Sequence, residues 1–130
     1  MAQVKVYGLA ESLNPIKLKL SETIHSCIVE ALHFPSEKKV HRFFPMAKED
    51  FIVTLPTATE KYPILEISLM EGRSVETKKL LIRLLFTRIC EELCYLPGDI
   101  EITITESPKS NWGFRGLPGD EIGLNYKIEV

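Results

Sequence analysis

Residues 64–81 read ILEISLMEGRSVETKKLL, a stretch in which the spacing of apolar residues changes part-way along. Its first half alternates between apolar and polar side chains: Leu65, Glu66, Ile67, Ser68 and Leu69. A period of two is typical of a strand with one buried face. We therefore predict a strand over Ile64–Met70.

A helix start follows this strand. Ser74, in the tripeptide Gly72-Arg73-Ser74, suits the N-cap position, and Glu76 lies in the first turn, where the helix dipole favours an anion. Apolar residues then recur at helical spacing: Leu81, Leu84, Leu85, Ile89 and Leu93. After a turn at Pro97-Gly98-Asp99, alternation resumes from Ile100 and predicts a second strand.

The first half of the chain has the same order of elements. A strand around Val4 and Val6 ends at Gly8, Asn14-Pro15 resembles a helix start, and Val40–Met46 reads as a strand. The predicted helix between them has one apolar face: Ile16, Leu20, Ile24, Cys27, Ile28 and Ala31. The two halves therefore read as β-α-β units offset by roughly 60 residues.

Two such units predict an α/β (α+β) fold. Each crossover should make its two strands parallel, and the units can share one four-stranded mixed sheet with both helices on one face. We predict one domain over 1–130, with a first unit at 1–51, a linker at 52–63, a second unit at 64–106 and a glycine-rich turn and C-terminal strand at 107–130. The other sheet face is left bare, and another copy of the chain is its simplest cover.

The C-terminal strand is predicted from alternation in its last nine residues: Ile122, Leu124, Tyr126, Ile128 and Val130 are separated by Gly123, Asn125, Lys127 and Glu129. The chain's own sheet does not need this strand. We expect it to extend the sheet of a neighbouring subunit.

Bulk composition excludes several classes of function. A net charge of −2 provides no general attraction to nucleic acid or anionic membranes, and no apolar run reaches the ~20 residues of a membrane span. The N-terminus lacks the pattern of a signal peptide, so a cytoplasmic protein with reduced thiols is expected. Cys90 and Cys94 are spaced like metal ligands, but no nearby side chain completes a set, so neither metal nor cofactor is expected.

Three segments carry a resemblance to a known family: EISLMEGRSVETKKLL at 66–81, GDIEITITESPKSNWGFRG at 98–116 and the strand around Arg42-Phe43-Phe44. Together they resemble the tautomerase superfamily, in its malonate semialdehyde decarboxylase-like branch. The resemblance covers nearly the whole chain. It implies a homotrimer with active sites near the subunit interfaces.

The resemblance also implies catalysis by an N-terminal proline whose amine acts as general base or acid. Here the second residue is Ala2, and the internal Pro15 and Pro35 have no free amine. The family's acidic partner falls just after Pro35, where this chain offers Glu37, or Lys38 in its place. The catalytic group is therefore unknown.

Five residues are candidates for binding a substrate. The resemblance implies that Arg73 binds a carboxylate. A planar guanidinium beside a helix N-terminus is well suited to this role. The alternative is an ion pair with Glu71, Glu76 or another subunit. Arg42 lies mid-strand, either in a polar pocket or in a structural pair. The remaining candidates lie in the NWGFRG segment: Trp112, Phe114 and Arg115.

Alternation in NWGFRG predicts that Trp112 and Phe114 lie on one side and Arg115 on the other. Trp112 either pins this glycine-rich turn against the protein or lines an apolar pocket.

Two functions follow from these residues. One is a homotrimeric, tautomerase-like or isomerase-like enzyme acting on small 2-oxo acids by proton transfer, weak because the proline is absent. The alternative is a catalytically inactive trimer that binds a small carboxylate or is purely structural. Neither nucleic acid nor membrane is expected as a partner.

Overall fold

The structure is a computed structural model that describes all 130 residues, and its centre is a four-stranded mixed sheet. The strands are β1 (Ala2–Leu9), β2 (His41–Met46), β3 (Ile64–Met70) and β4 (Glu101–Ser107), in the order β2-β1-β3-β4. β1 runs parallel to β2 and β3 runs parallel to β4, while β1 and β3 are antiparallel. The predicted sheet of two β-α-β units is confirmed.

The antiparallel pairing of β1 and β3 decides which loops meet. Ala2 lies opposite Leu69, so the start of the chain is adjacent to the end of β3 and to the turn that precedes the second long helix. The turn that follows β1 lies at the other end of the sheet, beside the start of β3.

Three helices accompany the sheet: α1 (Ala10–Leu13), α2 (Lys17–Leu32) and α3 (Val75–Leu93). The long helices α2 and α3 pack against each other, and their buried side chains form one core with alternate residues of the central strands. Nineteen buried residues belong to this core, among them Val4, Ile24, Ile67 and Leu85. Both long helices therefore lie on one face of the sheet, as predicted. Each helix falls short of the length or the apolar character that a bilayer-spanning helix requires.

The predicted start of the first long helix at Asn14-Pro15 is wrong, because a separate short helix, α1, ends there before the long helix begins. Asn14 ends α1, where its backbone N–H donates to the carbonyl of Ala10, and α2 begins at Lys17 after Ile16. The Asn-Pro pair therefore separates two helices instead of capping one, because buried Leu13 holds an extra turn against the core. By contrast, the predicted cap of α3 is confirmed, since Ser74 Oγ accepts from the Thr77 backbone N–H at 3.1 Å.

The outer face of the sheet is uncovered by the chain itself. Tyr7 and Phe44 stack there with ring centroids 4.8 Å apart, and exposed Arg42 donates to Gln3 Oε1 at 3.2 Å. This is the bare face that the sequence predicts.

The predicted C-terminal strand does not form within a single chain, and its pairing with a neighbouring subunit stays a prediction. Residues 122–130 form no strand, although the alternation of buried and exposed side chains is as predicted. The segment folds back on its own chain, where buried Ile128 lies over Gly72; a Cβ at Gly72, which has φ +140°, would lie 2.7 Å from Ile128 Cγ2. Alternation of apolar and polar residues shows only that one side of an extended segment is buried. A strand also requires backbone hydrogen bonds to the edge of a sheet.

The only additional strands are the two-residue β5 (Gly113–Phe114) and β6 (Leu117–Pro118), which form a small hairpin. At its base, Gly119 donates its backbone N–H to the Trp112 carbonyl at 2.6 Å. A Cβ at Gly119 would lie 2.5 Å from the Lys109 carbonyl oxygen, so this position needs glycine.

Candidate active site

A pocket of about 340 Å³ opens at the end of the sheet where β1 starts and β3 ends. Its walls come from the start of the chain, the segment before β2, the hairpin and the C-terminal segment: Met1, Lys38, Lys39, Val40, Phe114, Arg115 and Leu124. The pocket combines apolar side chains with three basic ones and the terminal amine, so its electrostatic potential suits a small anion.

The α-amino group of Met1 is the most perturbed titratable group in this pocket. Burial lowers its pKa from 8.0 to about 5, and the positive charges of Arg73, Lys38 and Lys109 add to the effect. Such an amine is unprotonated at neutral pH and can accept a proton. The adjoining strand holds it in place, since the Met1 carbonyl accepts from the Met70 N–H at 3.3 Å.

Arg73 lies behind this pocket, at the end of β3 and just before α3. Its side chain is buried, with 5% of the residue exposed. Nη1 donates to the Met70 carbonyl at 3.1 Å, while Nε and Nη2 are inaccessible to solvent and have no hydrogen-bond partner. Burial lowers the pKa of the guanidinium, and no carboxylate forms an ion pair with it.

Tyr126 adjoins Arg73 and was not among the predicted site residues. Its ring packs edge-on against Phe34 with centroids 5.1 Å apart, and Lys38 Nζ lies 4.9 Å from the ring centroid. Its hydroxyl is buried without a partner. Burial raises the pKa of this phenol, while the charges of Arg73 and Arg115 oppose the rise. The sequence carries one signal for Tyr126, because the alternation of apolar and polar residues in 122–130 places it on the buried side.

Lys38 was noted from sequence only as a possible occupant of an acidic position. In the structure it lines the pocket and donates to Asn125 Oδ1 at 3.1 Å, while Glu37 is exposed. Of these two residues, the one that reaches the pocket is therefore the cation.

The hairpin places its three predicted residues differently. Phe114 and Arg115 line the pocket, with the guanidinium carbon of Arg115 5.4 Å from the Phe114 ring centroid. The prediction that they face opposite sides is wrong, because Arg115 has φ +55° in the turn and alternation stops there. Trp112 lies at the base of the hairpin and not on the pocket wall, with its indole N–H buried and unpaired.

A family model described as Tautomerase enzyme matches residues 38–115 of the chain. The chain belongs to the tautomerase family. It is 33% identical over 61 residues to a 2-hydroxymuconate tautomerase of Comamonas testosteroni, a match that covers 47% of this chain and 97% of that relative.

Solved structures share the tautomerase fold with this chain at low sequence identity. Malonate semialdehyde decarboxylase superposes with a TM-score of 0.80 over 92% of this chain and 99% of its own, at 16% identity. A fused 4-OT protein solved as an asymmetric trimer gives a TM-score of 0.80 over 94% of this chain and 99% of its own, at 21% identity. At these identities the similarity shows the fold.

In this tautomerase family member, the predicted substrate-binding residues do not all meet. Phe114 and Arg115 line the pocket, Arg73 lies buried beside it, and Trp112 supports the hairpin. Arg42 is on the outer sheet face, bonded to Gln3, and does not reach the pocket of its own chain. The site contains one neutral amine surrounded by cations. The cations can hold an anion, and the amine can exchange a proton with that anion.

Proposed function

We propose that the chain is the subunit of a homotrimeric enzyme that tautomerises small 2-oxo acids by proton transfer, with low activity. The observation that supports this most directly is the pairing of an unprotonated amine at Met1 with a cation-lined pocket. The NWGFRG segment and the fold shared with malonate semialdehyde decarboxylase favour that branch of the family.

The first step of the proposed reaction is binding of the substrate carboxylate. Lys38 and Arg115 on the pocket wall attract it, and Arg73 provides the donors of its unpaired Nε and Nη2. An arginine can hold a carboxylate through two parallel hydrogen bonds.

The second step is proton transfer. The Met1 amine takes a proton from the enol hydroxyl, the electron pair closes the carbonyl group, and the ammonium returns a proton to the adjacent carbon. The base is weak, since a pKa of about 5 lies well below neutral pH and limits the driving force for accepting a proton. It is also a primary amine, because Met1 and Ala2 stand where the resemblance implies a proline.

The trimer is proposed from the uncovered sheet face. Tyr7, Phe44 and Arg42 lie exposed or half-buried on this face. Both long helices lie on the opposite face, so the chain itself leaves this one uncovered. Fused 4-OT proteins of the same fold are described as trimers.

The test is ketonisation of phenylenolpyruvate, followed by its ultraviolet absorbance, on protein whose mass by analytical ultracentrifugation is established first. We expect a rate above the buffer rate that falls at least about tenfold in Arg73→Ala, since one charge-assisted hydrogen bond is worth about 1.5–3 kcal/mol. Arg83→Ala on α3 is the matched control and should leave the rate unchanged. A trimer without activity on several enol acids would contradict the enzymatic proposal.

The second candidate function, an inactive carboxylate-binding trimer, is favoured by the low basicity of the amine and by the burial of Arg73. It predicts that small carboxylates raise the melting temperature without turnover, because a ligand that binds only the folded state stabilises it. An intact mass of the natively expressed protein decides whether Met1 or Ala2 carries the amine in this assay.

A further inference from the structure

Two buried polar groups beside the pocket lack the partners that such groups normally have. Arg73 uses only Nη1, and its Nε and Nη2 make no hydrogen bond; the Tyr126 hydroxyl makes none either. The two groups are adjacent, because the charge of Arg73 and a side-chain contact with its guanidinium both oppose the rise in the pKa of the phenol. Neither the Tyr126 hydroxyl nor Arg73 Nε and Nη2, however, has a partner in hydrogen-bond geometry. Buried donors are nearly always paired in folded proteins, so this cluster is missing a partner.

The missing partner is an acceptor that carries negative charge. The carboxylates nearest to Arg73 in the chain are already engaged: Glu106 pairs with Lys78 at 2.6 Å and Glu129 pairs with Lys109 at 3.3 Å. The charge of Arg73 is therefore uncompensated in a buried position, where an unpaired ion is costly. A carboxylate oxygen that reaches both groups removes this cost.

The C-terminal segment, residues 122–130, covers the two groups. Its surface attachments, the Lys38–Asn125 hydrogen bond and the Lys109–Glu129 ion pair, contribute little. The stronger ones are the packing of Ile128 over Gly72 and of Tyr126 on Phe34, and the Val130 carbonyl, which accepts from Ser74 Oγ and Thr77 Oγ1. A ligand reaches the two groups only if this segment shifts.

We propose that Tyr126 and Arg73 together form the carboxylate subsite, with Arg73 Nε and Nη2 and the Tyr126 hydroxyl all donating to the carboxylate of a small 2-oxo acid. The raised pKa of Tyr126 keeps its hydroxyl protonated, and therefore a donor, at neutral pH. This subsite deepens the proposed function and rests on it, because the anion is taken to be the substrate. It makes Tyr126 a substrate-binding residue supplied by the C-terminal segment.

The test compares Tyr126→Phe with Tyr62→Phe by calorimetric titration with phenylpyruvate and by thermal melting. In the free protein the Tyr126 hydroxyl has no partner in hydrogen-bond geometry, whereas the Tyr62 hydroxyl donates to Glu101 Oε1 at 2.9 Å. We expect Tyr126→Phe to raise the Kd about tenfold without lowering the melting temperature, since only the bound state loses a hydrogen bond. Tyr62→Phe should lower the melting temperature and leave the Kd unchanged.

An unchanged Kd in Tyr126→Phe, with wild-type protein that binds phenylpyruvate, overturns the subsite and leaves the proposed function standing. If wild-type protein binds no phenylpyruvate and shows no ketonisation, the proposed function fails together with the subsite. Hydrogen exchange on wild-type protein gives a second measurement that needs no variant. Saturating phenylpyruvate should slow exchange in residues 122–130, and unchanged exchange there counts against the subsite.

Discussion

The two ends of the central sheet differ in whether their buried polar groups have hydrogen-bond partners. The amine end, defined by Met1, Arg73 and Tyr126, buries polar groups without partners. The linker end, where β1 stops and β3 starts, is defined by Thr59, Tyr62 and Asp99 and satisfies its polar groups.

Asp99 shows the contrast most clearly. It is as little exposed to solvent as Arg73, with 3% exposed, yet its Oδ1 accepts from the Thr59 N–H at 3.0 Å and from Thr59 Oγ1 at 2.7 Å. Burial alone would raise the pKa of this carboxyl group, but the Thr59 hydrogen bonds and the charge of Lys61 lower it overall. A buried charge with partners holds the fold together, and a buried charge without partners is available for a ligand.

The largest expected effect is on stability at the linker end. Asp99→Ala removes the acceptor of both Thr59 hydrogen bonds, and because Thr59 is exposed, water can reach its donors. The free energy of unfolding should therefore fall by about 1–3 kcal/mol, at about 0.5–1.5 kcal/mol for each bond. Urea denaturation followed by circular dichroism measures the change.

Arg73→Met is the matched variant at the amine end. It removes a buried charge that has a single hydrogen bond, so the free energy of unfolding should stay the same or rise. If Arg73→Met destabilises the protein as much as Asp99→Ala does, the difference between the two ends is not real.

A smaller effect is expected at the two predicted helix caps. Ser74→Ala removes the N-cap of α3 at the amine end and should cost about 1 kcal/mol. Asn14→Ala lies at the linker end and should cost less, because the Asn14 side chain caps no helix N-terminus and accepts only from Lys17 Nζ. Equal losses in the two variants, measured by urea denaturation, would mean that Asn14 caps a helix N-terminus after all.

The last effect is the dependence of stability on pH, which is spread over several pH units. The Met1 amine has a pKa lowered from 8.0 to about 5, so the unfolded chain binds its proton first and stability should fall as pH drops from 8 towards 5. The lowered pKa of Asp99 acts in the other range, and its contribution should persist until pH falls below the ordinary value of 3.8. Urea midpoints at a series of pH values measure both.

The contribution of His41 to the pH dependence of stability must be separated from that of the Met1 amine. Burial, then the charges of His25 and Lys39, lower its pKa from 6.5 to about 4, so its contribution also falls as pH drops between these values. In His41→Asn the decline between pH 8 and 6.5 should remain, because it comes from the amine, whose pKa is lowered from 8.0. A flat profile above pH 6.5 would mean that the amine is not buried.

Much of the fold was predictable because its signals are local. Alternation placed β3 correctly from Ile64 to Met70, and helical spacing placed α3 behind its Ser74 cap. Two boundaries failed where a local pattern has two structural causes. Asn14-Pro15 suits either side of a helix break, and alternation in 122–130 suits either a strand or an extended segment packed on its own chain.

The site was less predictable than the fold. Sequence pointed to Arg73 at the end of β3 and to Phe114 and Arg115 in the hairpin, and the structure puts all three at the amine end. It did not point to Tyr126, whose importance lies in an unpaired hydroxyl, or to Lys38 as a pocket wall. Both depend on which segments meet in space.

The sequence by itself determined the two β-α-β units, the cap of α3 and the absence of a proline at the start of β1, because periodicity, capping and residue identity are properties of neighbouring positions. Only the tertiary structure decided that Met1, Lys38, Arg73, Arg115 and Tyr126 meet at one end of the sheet. The antiparallel pairing of β1 with β3 brings the first residue to the end of the third strand, and the folded-back C-terminal segment buries the groups between them. The unpaired donors and the lowered pKa of the amine result from that burial, which no local pattern encodes.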